Sequence, residues 1–185
     1  MVLIDAKTLA ERFPQASISS PKGQMLYENL KSDELSEAFK KIERLVKVRD
    51  RSVLEVRNRL NRDGFTVDVV DAAVDRALSV GYLDDTRFAD VLVRSRLRSG
   101  KGLSGILREL RNHAIDPFKQ LEGFPDDYLR ENPSQEEAAI ALLCRKPPRS
   151  KNEKQAAYAK LIRSGYSVDI AAEATKRWYE AKNSK

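Results

Sequence analysis

LNRDGF at residues 60–65, LRNHAI at 110–115 and LIRSGY at 161–166 are three versions of one phrase. Each version has a leucine first, a small residue four positions later and a large apolar residue directly after that. The three leucines are spaced 50 and 51 residues apart. A repeat of about 50 residues is long enough for a small helical bundle, so the sequence predicts tandem modules that pack against their neighbours.

The segments around each phrase have the apolar spacing of amphipathic helices. Ser52 and Glu55 match a capping box at the start of a helix. Asp116-Pro117 matches an N-cap followed by a proline at the first helical position. No stretch predicts a strand of any length. The predicted fold class is therefore all-α, with tandem repeats of three-helix modules forming an elongated, curved rod.

The predicted core follows these helical stripes. Asp68 and Asp169 are interpreted as N-caps of the last helices in repeats one and three. The inward residues of repeat one include Phe39, Ile42, Val46, Val56, Leu60, Val69, Ala72, Ala73 and Leu78. Those of repeats two and three include Phe88, Val91, Leu92, Ile106, Leu110, Ala139, Leu143, Ala157, Leu161, Ala174 and Trp178.

Breaker residues suggest where the modules begin and end. Pro21 and Gly23 interrupt the early part of the chain, and a helical pattern starts at Asp33. Two clusters rich in glycine, proline and polar residues, 123–125 and 132–134, bracket a second irregular stretch. The predicted organisation is an N-terminal extension (1–33), repeat one (34–82), repeat two (83–124), a linker (125–133) and repeat three (134–182).

Composition favours an acidic partner. The chain of 185 residues has a formal net charge of +6 and a pI near 9.4. Such a charge favours nucleic acid or another acidic polymer, although it also occurs on ordinary soluble proteins. The single cysteine excludes an intrachain disulfide and is typical of a reducing cytosol. Residues 1–4 are apolar, but charged residues follow at once, so neither a signal peptide nor a membrane span is expected. We therefore expect a cytoplasmic protein.

Cations recur at the turn before the middle helix of each repeat. Equivalent positions in stacked repeats lie along one edge, so these side chains are predicted to form a row that contacts phosphates or an acidic protein groove. The alternative is that they are solvated charges with local partners, such as Asp90 four residues before Arg94. The candidate binding residues are Arg49, Arg51, Arg94, Arg98, Lys101, Arg108, Arg111, Lys146, Arg149 and Lys151.

The sequence offers no constellation for catalysis or metal binding. His113 is the only histidine and is interpreted as a surface residue, since no second ligand stands at metal-binding spacing. Cys144 follows two leucines and is predicted to be a small core residue. Asp84 and Asp85 precede a helix, where capping is the expected role. We predict no enzyme activity, no metal and no cofactor.

Two further patterns have structural interpretations. Gly100 and Gly102 lie between helices and lack the strand and lysine of a phosphate-binding loop. Tyr82, Tyr166 and Trp178 have the side chains that stack on bases, but their helical spacing and apolar neighbours favour packing. Neither pattern predicts a nucleotide site.

Three stretches together resemble the RecX family of bacterial regulators. They are residues 49–60, then GYLDDTRFA at 81–89, which is the most specific, and residues 138–146 taken together with 161–167. The resemblance covers residues 37–180 and all three repeats, and the family is built from tandem three-helix repeats. One departure is Ala114, which stands where the family usually has a glycine, so the end of that helix is left open.

The resemblance implies a function. RecX proteins bind the RecA recombinase filament on DNA, limit its growth and inhibit its ATP hydrolysis, strand exchange and coprotease action. It therefore implies a non-enzymatic, monomeric regulator in DNA repair, recombination and the SOS response. Its partners would be the RecA filament and the phosphates of single- or double-stranded DNA. Whether the net effect is inhibition or tuned stimulation is left open.

A helix-turn-helix regulator of duplex DNA is the alternative, because short helices joined by tight turns allow it. A recognition helix needs residues such as Asn, Gln or Arg at positions that reach the bases. Glutamine is scarce in repeats one and two, which favours the filament regulator.

Overall fold

The computed structural model describes residues 21–184, apart from the side chains of residues 22, 23 and 26. Within this range every regular element is a helix, which confirms the predicted all-α fold. The helices are α1 (Pro21–Val46), α2 (Val53–Arg62), α3 (Val67–Ser79), α4 (Asp85–Arg98), α5 (Leu103–Asn112), α6 (Pro117–Gln120), α7 (Asp126–Arg130), α8 (Gln135–Arg145), α9 (Glu153–Arg163) and α10 (Val168–Asn183).

Two compact units divide the chain, the first ending at Asp85 and the second beginning at Thr86. In the first unit α1 and α2 both pack on α3. In the second unit α8 and α9 pack on α10 in the same way. The leucines of the repeated phrase, Leu60, Leu110 and Leu161, are each 0% exposed, as their place in the phrase predicts.

The repeated phrase ends its helix with the same turn in all three repeats. The N–H of the large apolar residue donates to the carbonyl of the leucine, at 3.3 Å for Phe65 to Leu60, 3.0 Å for Ile115 to Leu110 and 3.1 Å for Tyr166 to Leu161. This is the hydrogen bond of a Schellman motif, which needs a left-handed residue just before the donor. That residue has φ of 89° at Gly64, 58° at Ala114 and 89° at Gly165. Ala114 therefore forms the turn without a glycine.

The first described helix starts earlier than the pattern predicts. It begins at Pro21, whereas the sequence indicated a helical pattern from Asp33. Proline is tolerated in the first turn of a helix, because the N–H that it lacks has no partner within the helix there. The rest of the predicted N-terminal extension, residues 1–20, lies outside the described residues.

The predicted linker, residues 125–133, contains helix α7. Its Tyr128 is buried in the same core cluster as Ile115 and Leu121 of repeat two. The Tyr128 hydroxyl also donates to Asp90 at 2.7 Å. The segment is thus part of a packed core, because one aromatic side chain gives it apolar area to bury.

Some core and cap positions were predicted wrongly. Val91 is 50% exposed, and Ala72 and Leu78 are exposed as well, because each helix turns a neighbouring apolar stripe inward. The caps of α3 and α10 are Thr66 and Ser167, two residues before the aspartates that were predicted. Both follow the Schellman turn directly, where the chain is extended, so the helix starts one position after them.

Candidate binding surface for an acidic partner

The cations of repeat one are held by a carboxylate. Arg49 and Arg51 both bind Glu55, with 2.5 Å from Arg49 Nη2 to Oε1. Burial alone would raise the pKa of Glu55, but the hydrogen bonds from these two arginines outweigh it and lower the pKa. The Arg51 side chain is only 19% exposed, which corrects the expectation that such turn residues face solvent. The single carboxylate offsets one of these two positive charges.

Two candidates in repeat two are also paired. Arg94 lies between Asp90 at 3.0 Å and Glu131 at 2.5 Å, with its guanidinium over the Tyr128 ring. Lys101 binds Glu109 at 2.5 Å. These contacts favour a role within the fold, since a carboxylate that already binds a cation reduces its attraction for an external anion.

The other six candidates have no carboxylate partner among residues 21–184. All six side chains are exposed. They are Arg98, Arg108, Arg111, Lys146, Arg149 and Lys151. Uncompensated cations on the surface are the ones available to an anionic partner, and the candidates of this kind all lie in the second unit.

Arg98 and Arg145 line one groove in this unit. The groove is formed by the end of α4, the turn after it and one face of α8, and its lining also includes Gly100, Asn132 and Leu142. Like Arg98, Arg145 is exposed and has no carboxylate partner in the described chain. We call this the Arg98–Arg145 groove.

A buried tyrosine supports the turn beside the groove. Tyr166 belongs to the repeated phrase of repeat three, and its hydroxyl donates to the Gly100 carbonyl at 2.7 Å. Burial raises the pKa of Tyr166 to about 12, against the opposing effect of the Arg145 charge. The tyrosine therefore stays neutral at physiological pH and holds the Gly100 turn in place.

The pKa of Lys160 shows that positive charge is concentrated at the end of α8. Burial, followed by the charges of Lys146 and Arg145, lowers the pKa of Lys160. Lys160 donates to the Lys146 carbonyl rather than to a carboxylate. Like charges that repel one another in the free protein favour binding of an anion, because the anion relieves the repulsion.

Sequence reasoning missed Arg145 and Lys160. Arg145 lies in the last turn of α8 and Lys160 in that of α9, outside the turns and adjoining helix positions that supplied the candidates. Arg145 directly precedes Lys146, and this run of two cations was the available signal.

The glycine turn before α5 is filled by protein. The Gly102 N–H donates to the Ser164 carbonyl at 3.0 Å, and the Gly105 N–H donates to the Gly165 carbonyl at 2.9 Å. The Leu103 N–H donates to Gln135 at 2.8 Å. Since the first N–H groups of α5 already have acceptors, they are not available to a phosphate.

The remaining singled-out residues are structural. His113 is half-buried and lies against Phe88, with 4.9 Å between ring centroids. Tyr166 and Trp178 are buried, as packing predicts. Cys144 is exposed, so the prediction of a core cysteine is wrong, because α8 turns Leu143 inward instead. The described part of the chain holds no cluster of three metal-binding side chains.

None of the helices within residues 21–184 is a membrane span. No helix there combines the length and apolar character that a bilayer crossing requires.

Comparison with known proteins identifies relatives. The family model described as RecX, first three-helix domain, matches residues 38–76, and the one described as RecX, second three-helix domain, matches residues 84–118. The chain is 31% identical over 154 residues to regulatory protein RecX of Bacillus licheniformis, which covers 77% of this chain and 55% of that protein. It is 34% identical over 83 residues to regulatory protein RecX of Legionella pneumophila, covering 45% of this chain and 55% of that protein. The chain thus spans about half the length of these curated relatives.

Solved structures show the same fold. The crystal structure of RecX from Lactobacillus salivarius superimposes with a TM-score of 0.59 at 19% identity, covering 80% of this chain and 97% of that one. A crystal structure of another regulatory protein RecX gives a TM-score of 0.62 at 17% identity, covering 89% of this chain and 83% of that one.

Proposed function

Because the chain belongs to the RecX family, we propose that it binds the RecA filament on DNA and negatively modulates its recombinase, ATPase and coprotease activities. The observation that carries this proposal on the chain itself is the Arg98–Arg145 groove. Both arginines lack a carboxylate partner among the described residues, and Lys146 and Lys160 add charge nearby. A filament on DNA offers acidic side chains and phosphates to such a surface.

The proposed mode of action is binding without chemistry. A bound regulator changes the rate of ATP hydrolysis by favouring one state of the filament or by preventing the addition of subunits. Phosphate contacts carry no sequence information, which suits a regulator that follows a filament on any DNA.

The test compares charge reversal in the groove with charge reversal elsewhere. Purified chain is titrated into RecA filaments on single-stranded DNA while ATP hydrolysis is followed. We expect Arg98→Glu combined with Arg145→Glu to raise the half-inhibiting concentration about tenfold or more, as for loss of buried or central charge contacts. The matched control is Arg62→Glu combined with Lys176→Glu, which changes the net charge equally at two exposed positions that have no carboxylate partner among residues 21–184.

Arg51 and Lys101 are unsuitable for this test. Each binds a carboxylate, so a glutamate there would face Glu55 or Glu109 and disturb the fold. Circular dichroism should show the same helicity in all variants. Full inhibition by the folded groove variant would exclude the Arg98–Arg145 groove as the binding surface.

The same titration distinguishes the helix-turn-helix alternative. A regulator of duplex DNA would leave the ATPase unchanged and would bind one duplex sequence better than others in fluorescence anisotropy. That pattern would contradict the filament proposal.

A further inference from the structure

A second surface feature lies at the junction of α5 and α6. A groove there, called the Phe118 groove below, is lined by Arg111 and Asp116 together with Leu107, Ala114, Ile115, Pro117 and Phe118. Ile115 and Pro117 are buried and form its floor. Phe118 is 61% exposed, an unusual position for a phenylalanine beside an apolar groove. Exposed apolar side chains that gather around a groove mark a site of interaction.

The Phe118 ring is fixed in place. Its backbone N–H donates to the Asp116 carboxylate at 3.1 Å, which ties the residue to the first turn of α6. The ring meets Phe124 edge to face, with 5.2 Å between centroids. An aromatic side chain that is exposed but already ordered loses little entropy on binding, which is the property of an interface anchor.

Ala114 gives a second reason to expect binding here. It has φ of 58°, in the left-handed region where the other two repeats have glycine. A side chain in that conformation is strained, and such strain is concentrated at functional sites. The Ala114 methyl group lines the Phe118 groove, so the alanine adds apolar surface that a glycine would not supply.

The charge around the groove indicates the partner. Arg111 lines the groove and Arg108 lies on the preceding turn of α5, and both are exposed without a carboxylate partner in the described chain. Asp116, on the opposite side, already binds Lys119 at 3.6 Å and the Phe118 N–H. The uncompensated charge at the groove is therefore positive, and it is complementary to a carboxylate.

We propose that the Phe118 groove docks a protein segment that carries a large apolar side chain next to one or more carboxylates. The apolar side chain would contact Leu107, Ala114 and Phe118, and the carboxylate would bind Arg111. Nucleic acid fits less well, because the lining of the groove is mainly apolar. This site is separate from the Arg98–Arg145 groove, and it does not depend on the proposed function.

The experiment measures binding of the full chain to a defined peptide array. The peptides carry a central phenylalanine, tryptophan or leucine with glutamates at different distances on either side. One control set replaces the glutamates with lysine, and another replaces the central residue with serine. We expect the best acidic peptides to bind about tenfold or more tightly than both matched controls in fluorescence anisotropy.

Variants locate the site. Arg111→Glu and Phe118→Ser should each weaken the best peptide about tenfold or more, as expected of interface anchors. Their controls are Lys176→Glu and Val168→Ser, where Val168 is 62% exposed in another part of the unit. Ala114→Gly should weaken binding several-fold without loss of stability, because it removes the methyl group and relieves the strain.

Three outcomes would overturn the proposal. The first is that no acidic peptide binds better than its lysine counterpart. The second is that single-stranded DNA binds the groove, with the same sensitivity to Phe118→Ser, better than any peptide. The third is a concentration-dependent dimer in sedimentation that Phe118→Ser abolishes, since this would make a second copy the occupant.

Discussion

Residue 114 illustrates how strongly the repeated phrase determines local structure. Gly64 and Gly165 take the left-handed conformation at little cost, whereas Ala114 takes it at a cost of about 1–2 kcal/mol. The turn forms all the same, because the Ile115 N–H bonds to the Leu110 carbonyl and Ile115 is buried. Tertiary burial thus outweighs the backbone preference of one residue.

The repeated leucines lead to the first prediction. Leu60→Ala, Leu110→Ala and Leu161→Ala should each lower the free energy of unfolding by about 2–5 kcal/mol, because each removes a fully buried side chain. Urea denaturation followed by circular dichroism measures the change. Leu78→Ala, at an exposed apolar position, is the control and should cost much less. A neutral result at one leucine would show that its repeat does not share the common packing.

Glu109 leads to a prediction about pH. Its hydrogen bond with Arg96, reinforced by Lys101, lowers its pKa from 4.5 to about 2. The folded state therefore binds this proton less readily than the unfolded state, so the stabilisation is complete above about pH 5 and disappears as pH falls towards 2. Glu109→Gln should cost about 1–2 kcal/mol at pH 7, since Arg96 and Lys101 are partly exposed.

The measurement is urea denaturation of both proteins across this pH range. The difference between wild type and Glu109→Gln should shrink as pH falls from 5 to 2. A difference that stays constant over the range would contradict an ionised Glu109 as the source of the stability.

The middle helices of the three repeats begin at equivalent positions, but each has a different N-cap residue. α2, α5 and α9 follow Ser52, Gly102 and Asn152, which are spaced by 50 residues each time. The first N–H of α2 donates to Asp85 and that of α5 donates to Gln135, both at 2.8 Å. Each acceptor is the first residue of the next repeat's leading helix, 32 residues further on. The first side chain of a repeat's leading helix therefore accepts a hydrogen bond from the first N–H of the preceding repeat's middle helix.

Gly105 leads to a prediction for the start of α5. A Cβ at this position would lie 2.7 Å from the Gly165 Cα, and backbone cannot move aside as a flexible side chain can. Gly105→Ala should therefore lower the free energy of unfolding by about 2–3 kcal/mol. Thermal and urea denaturation would measure it. Ser104→Ala, at an exposed neighbour on the same helix, should be nearly neutral, and equal effects would mean that helix propensity rather than close packing decides the result.

Only part of the net charge of +6 is available to a partner, because some of the cations are bound by carboxylates of the protein itself. In the first unit Arg49 and Arg51 share one carboxylate, whereas the second unit has exposed cations without one in the described residues. A continuous row of cations through all three repeats stays a prediction. Arg98 is the member of that predicted row that lines the Arg98–Arg145 groove.

Salt dependence tests the role of this charge. If the groove neutralises about two phosphates, DNA binding should weaken about tenfold between about 50 and 200 mM salt. The Arg98→Glu and Arg145→Glu double variant should show a much flatter dependence, and the Arg62→Glu and Lys176→Glu control should keep the wild-type slope. Affinity that is independent of salt would indicate that apolar contacts dominate.

The sequence by itself determined the repeats, their all-helical nature and the buried leucines. These features depend on residues only a few positions apart, because helix periodicity and the Schellman turn are local properties. The family resemblance rested on other short stretches as well, above all GYLDDTRFA at 81–89. Even a non-glycine residue at position 114 did not change the turn.

Only the tertiary structure decided which cations are available to a partner. Arg94 is neutralised by Glu131, 37 residues away, and Arg98 meets Arg145 across a groove. It also decided that α8 turns Leu143 inward and leaves Cys144 exposed. The strength of a charge pair depends on distance in space and on burial, and neither is fixed by spacing along the chain.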